Sequence, residues 1–70
     1  MYNCYSIFID FPNGTNEAVA QKYTDYSQCV KYADNLQNMI NIQGLNVSVW
    51  HAGKCYYSTD INVKLDGFPD

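Results

Sequence analysis

One helical stripe constrains this chain more than any other feature. Cys29, Ala33, Leu36 and Ile40 recur at i, i+4, i+7 and i+11, the spacing of one apolar face on a 3.6-residue period. The spacing predicts a single helix over Tyr26–Asn41, closing near Gln43. Tyr26, Val30 and Met39 widen the stripe, and Gln28, Lys31, Asp34, Asn35, Gln37, Asn38 and Asn41 form the opposite, polar face. Asp25 or Ser27 is placed to accept a hydrogen bond from a free N–H of the first turn. Gly44 stands where a left-handed closing residue is expected.

The rest of the chain alternates with a period of two and must pair beside this helix or pack under it. Residues 2–11 place Tyr5, Ile7, Ile9 and Phe11 on one face and Cys4, Ser6, Phe8 and Asp10 on the other. The first set is the more apolar and is expected to face the helix. Pro12-Asn13-Gly14-Thr15 reads as a hairpin turn, with Pro12 fraying the ladder before it. Residues 16–24 have some helical character at Glu17–Gln21, but the preceding turn and Tyr23-Thr24 favour a returning strand.

After Gly44, Leu45, Val47 and Val49 alternate with Asn46, Ser48 and Trp50. His51-Ala52-Gly53-Lys54 is a turn and Cys55-Tyr56-Tyr57-Ser58 a fourth strand. Thr59-Asp60 turns again, and Ile61, Val63 and Leu65 suggest a fifth strand. Residues 66–70 form a tail, in which Phe68 is free to tuck back onto the domain. The expected fold class is α+β: an antiparallel four- or five-stranded sheet with one helix packed on one face, in the order ββαββ(β). The 70 residues make one small domain.

Charge narrows the partners. With four Lys, no Arg and a net charge of −3, the chain lacks the basic cluster that duplex nucleic acid or an anionic membrane surface requires. No run of ~18 apolar residues is present to span a bilayer. The start of the sequence lacks the basic and apolar segments of a secretory leader, so a reducing cytoplasm is the expected compartment. Cys4, Cys29 and Cys55 are odd in number and unpaired in spacing, which fits free thiols rather than a disulfide framework.

The same residues weigh against chemistry. His51 is the only histidine, and no Cys–His pair with an orienting group is evident. A zinc site from His51 and the three Cys lacks paired ligand spacing. Gly14, Gly44, Gly53 and Gly67 are isolated, so no phosphate-binding loop exists. No enzyme activity, cofactor or metal is therefore expected.

A single helix covers one sheet face and leaves the other to solvent. By the alternation above, the uncovered face carries Cys4, Phe8, Trp50 and Tyr56. Clustered exposed aromatics of this kind mark interaction surfaces, unless a one-residue register shift turns them inward. Seven Tyr, eight Asn and four Gln add the stiff, amide-rich character of binding surfaces. The candidate protein-binding residues are Phe8, Trp50 and Tyr56 on the sheet, and Tyr32, Asn35 and Gln28 on the exposed helix face. Base stacking on the open sheet is a further reading, although the positive groove that tracks a single strand is missing.

The strand pair with its Asn13-Gly14 turn, the helix start Tyr23-Thr24-Asp25-Tyr26-Ser27-Gln28-Cys29-Val30-Lys31-Tyr32-Ala33-Asp34 and a later strand bearing Cys55 together resemble small phage and mobile-element accessory proteins. Anti-CRISPR and other anti-defence or host-takeover proteins are of this kind. The resemblance spans about residues 2–58 and transfers no binding residue. It implies a cytoplasmic, phage-encoded inhibitor that occludes a site on a host protein complex. The alternatives are a homodimeric structural or accessory protein, with the same aromatics buried between copies, and a single-stranded nucleic-acid binder.

Overall fold

The computed structural model describes residues 4–67. Its elements run β1 (Tyr5–Asp10), β2 (Asn16–Tyr23), α1 (Tyr26–Met39), β3 (Asn46–His51) and β4 (Lys54–Ser58). The strands form one antiparallel sheet in the order β2-β1-β3-β4, and α1 lies across one face. The fold is α+β with the order ββαββ.

Helix α1 starts where its cap was expected. Asp25 is extended at φ −99° and ψ 121°, and its carboxylate accepts from the Ser27 N–H at 3.1 Å. The stripe then seats two small residues, Cys29 and Ala33, fully buried against Ile7, Val47 and Val49 of the central strands. Small side chains at those helical positions let the backbone approach the sheet closely. Removing each aliphatic strand residue from water is worth about 1.5–3 kcal/mol, and Tyr5, Val19, Tyr23, Tyr32, Leu36 and Tyr57 seal the edges of this core.

The helix ends earlier than its periodicity suggests. Ile40 turns extended at φ −95° and ψ 106°, and its N–H reaches back to the Leu36 carbonyl at 3.0 Å. Gly44 is therefore not the helix-closing residue. It has φ +84° in the turn before β3, and a Cβ there would lie 3.1 Å from the Pro12 side chain. Both the backbone angle and that approach favour glycine. Past the last buried turn, Met39 leaves the stripe and is 80 % exposed. Gln37, assigned by periodicity to the polar face, is instead half-buried. Its amide N–H donates to the Leu45 carbonyl at 2.9 Å, and its carbonyl accepts from the Thr59 hydroxyl at 2.6 Å.

The first hairpin closes through Phe11 N–H to the Thr15 carbonyl at 2.8 Å, with Asn13 Oδ1 accepting from both the Thr15 N–H and its hydroxyl. Only Gly14 of the Asn-Gly pair takes positive φ, at +90°. In the second hairpin Ala52 and Gly53 both do, at +52° and +77°, the backbone of a tight primed turn.

Among the described residues no fifth strand forms. Asp60 organises Ile61–Val63 as a turn, accepting from the Asn62 N–H on its carboxylate and the Val63 N–H on its carbonyl. The segment then returns to β4, where Asp66 N–H donates to the Cys55 carbonyl at 2.8 Å and Asp66 Oδ2 accepts from the Cys55 N–H at 2.6 Å. Ile61 and Val63 stay exposed, so their alternation reflects no buried face. Phe68 and the end of the expected tail lie outside the described residues.

Candidate functional site

The face of the sheet opposite α1 is built around β1 and β3. Their register sets Ser6 opposite Trp50 and Phe8 opposite Ser48. Phe8 and Trp50 are thus diagonal neighbours on adjacent strands, and their rings meet edge to face, 6.4 Å apart at 75°. Such pairs add about 0.5–1.5 kcal/mol beyond the area they bury. The indole also folds back along its own strand, and its N–H donates to the Ser48 hydroxyl at 2.9 Å. Ser48 is only 2 % exposed beneath it. A polar hydroxyl at that depth needs a partner, and the indole supplies it.

An open groove of about 380 Å³ runs beside this pair, bordered by Cys4, Ser6, Phe8, Asn16, Trp50 and the β3–β4 turn at His51–Gly53. Its walls are mixed: two aromatic rings, a thiol, a hydroxyl and an amide. Phe8 and Trp50 are half-buried, with ring surface still facing solvent. Charge is sparse on this face. Lys22 sits opposite Ser6 on the β2 side, and Asp10 sits at the far end of β1 opposite Asn16 and Asn46.

Of the sheet residues expected to bind, Phe8 and Trp50 come together and Tyr56 does not join them. The ladder pairs Val49 with Tyr57 but Trp50 with Cys55, so Tyr56 is an extra residue in β4. This bulge breaks the simple alternation and sends Tyr56 to the helix side. There its ring meets Tyr5 edge to face at 6.4 Å, and its carbonyl accepts from the Tyr26 hydroxyl at 3.2 Å. On the helix, Gln28 and Asn35 are exposed, whereas Tyr32 is half-buried against Tyr23 with ring centroids 5.8 Å apart. The helix candidates therefore give an amide surface without a free aromatic anchor.

Ser6, Asn16, Ser48, His51 and Ala52 were not singled out as site residues from sequence. The signal for Ser6 and Ser48 was present in the alternation, which puts both on the face of Phe8 and Trp50. Their meaning appears only once β1 and β3 are neighbours.

The buried thiols are poorly suited to nucleophilic work. Burial, the largest cause, pushes both Cys29 and Cys55 upward, and each thiol donates to a backbone carbonyl, that of Tyr23 or Tyr57. A raised value keeps sulfur protonated and unreactive. His51 packs its ring against Tyr5, 5.0 Å between centroids. Among the described residues, no group of three His, Cys, Asp or Glu side chains is placed to hold a metal ion, and no helix is long and apolar enough to cross a membrane.

No protein-family model matches the chain, and neither the curated proteins nor the solved structures contain a significant match to it.

Proposed function

We propose that this chain is a non-catalytic protein-binding module that engages its partner through the sheet face opposite the helix. The observation that carries the reading is the Phe8–Trp50 pair beside an open groove, on a face that α1 does not cover. The indole N–H is already bonded within the chain, so the ring offers its apolar surface at little desolvation cost. The groove has room for one or two apolar or aromatic side chains from a projecting loop of a partner protein. A stiff aromatic wall rimmed by small polar groups is the arrangement that concentrates binding energy in few residues.

In its narrower form the reading is an inhibitor that occludes a site on a host protein complex, of the phage anti-defence or host-takeover kind. Its support is the acidic and amide-rich composition and the preformed surface. The wall of the groove is fixed by the ladder and by the Trp50–Ser48 bond, so little ordering accompanies binding.

The test is affinity capture from host lysate followed by titration with the purified captured protein. Trp50→Ala is expected to leave the fold intact and weaken binding at least tens-fold, the range of a buried tryptophan anchor. Cys4→Ser, on the same groove, is expected to bind normally, whereas a thiol-dependent reaction requires its loss of function. Unchanged affinity in Trp50→Ala would reject the outer face as the binding surface.

A further inference from the structure

One end of the outer groove is bordered by the β3–β4 turn, and the chain that follows β4 is aimed at that turn. The segment leaves β4 where Thr59 N–H donates to the Val47 carbonyl, and it comes back to Cys55 at the clasp with Asp66. It therefore runs opposite to β4. The next positions in that direction are Lys54 and Gly53, and Ala52 and Gly53 border the groove. Cys55 is also the ladder partner of Trp50, whose ring walls the groove. Phe68 is the second residue past the clasp.

Reach and surroundings decide where an aromatic ring at that point goes. Asp66 lies one position outside β4, so about two strand spacings, ~10 Å, separate it from Trp50. Two residues of chain cover up to ~7 Å, and aromatic rings pair at centroid separations of about 4.5–7 Å. The ring of Phe68 thus reaches the indole without any shift of the sheet. Gly67 has φ +141°, and a Cβ there would meet open space, so glycine serves at this position for its backbone, which bends the chain off the edge. The bend has two sides open to it. On the helix side this end of the sheet is already filled, because Tyr26, Tyr56 and His51 all pack their rings on Tyr5. On the outer side stand the groove and the half-buried rings of Phe8 and Trp50. Pro69 then follows, with no N–H to extend pairing along the β4 edge.

We propose that Phe68 docks into the outer groove of its own chain, against Trp50 and Phe8, and is the plug that a partner displaces. The docking stands by itself; the displacement rests on the reading of the groove as a partner-binding site. A ring tethered two residues from its anchor is held at an effective concentration on the order of millimolar. It covers the groove in the free protein and yields to a partner that brings a larger contact. The partner's apparent affinity is lowered by the fraction of time the groove is filled.

The first test uses the free protein. Nuclear Overhauser contacts between the Phe68 ring and the Trp50 indole are expected in the wild type, unchanged on dilution. Phe68→Ala is expected to move Trp50 emission to the red and to increase its quenching by acrylamide, with the far-ultraviolet spectrum unchanged. No such contacts, or identical emission and quenching in Phe68→Ala, overturns the proposal. Contacts that vanish on dilution, as the mass falls from two protomers to one, would assign the ring to the groove of a second copy and overturn it as well. The second test uses the captured partner. Phe68→Ala is expected to bind it severalfold more tightly and to show the larger blue shift on binding. Equal affinity in the two proteins overturns the plug. Partner binding that ignores Trp50→Ala rejects the outer-face reading and with it the displacement, while the contacts in the free protein still decide the docking, so the two failures are told apart.

Discussion

The Trp50 indole N–H donates to the Ser48 hydroxyl two residues back on the same face of β3, at 2.9 Å. The bond fixes the indole along the strand and satisfies a hydroxyl that is 2 % exposed. Replacing Trp50 with Phe keeps an aromatic ring but strands the serine oxygen. Ser48→Ala removes the acceptor and leaves an indole N–H that half-buried Trp50 can turn toward water. Trp50→Phe is expected to cost about 1–2 kcal/mol, and the double variant less than the sum of the two singles by about 1 kcal/mol. Urea midpoints across the four-protein cycle measure this. Strict additivity would show that the bond contributes nothing.

The Tyr57 hydroxyl donates to the Asp34 carboxylate on α1. That bond, together with burial, pushes the phenol up to about 12 from an ordinary 10.0. The folded state thus holds this proton more tightly than the unfolded chain. Its stabilising contribution is complete below pH 10 and is lost as the pH rises to about 12. Burial raises Tyr26, Cys29 and Cys55 in the same direction, so the alkaline decline combines several groups. Tyr57→Phe is expected to flatten the part of the decline between pH 10 and 12 and to keep the part due to the thiols. Identical stability-against-pH slopes for the two proteins would contradict the assignment.

Ala52 holds φ +52° in the β3–β4 turn, beside Gly53 at +77°. An alanine in the left-handed region costs about 1–2 kcal/mol, and asparagine tolerates it better. Ala52→Asn creates the favoured Asn-Gly hairpin and is expected to raise stability by about 1 kcal/mol, read from thermal unfolding. A loss of stability would mean that the alanine methyl is needed against the groove.

The Asp66 clasp on Cys55 ties the segment after β4 to the sheet through two hydrogen bonds, one accepted by a carboxylate. Asp66→Ala is expected to cost about 1–2 kcal/mol and to speed amide exchange at Cys55 well above that at Val49. Equal acceleration at both sites would indicate global destabilisation instead of a local clasp.

What the chain discloses in sequence depends on how local the cause is. The cap at Asp25, the stripe at Cys29 and Ala33 and the two turns are set by neighbours a few residues away, and each appears where the pattern puts it. The helix end departs from the periodicity because Ile40 still fits the stripe while its backbone has already turned extended. Ile61, Val63 and Leu65 alternate convincingly, but alternation does not supply a partner strand, and Asp60 captures the local amides first. Tyr56 departs from the face that its alternation predicts because period-two counting assumes an unbroken ladder, and one bulge at that residue reverses it. The Phe8–Trp50 pair rests on the β1–β3 adjacency, which the sequence reading does not establish. That contact joins segments about forty residues apart and exists only because α1 carries the chain from β2, over β1, to the far side of it.

Trp50 is the only tryptophan in the chain, so its fluorescence reports the proposed surface without a label. The most direct measurement is a titration of the protein with its captured partner, followed by indole emission and repeated with Phe8→Ala. Binding at the outer face predicts a saturable blue shift as water leaves the ring, and an affinity at least tens-fold weaker in the Phe8 variant. Saturable binding seen by an independent method, with no change in Trp50 emission and no loss in Phe8→Ala, would contradict the account.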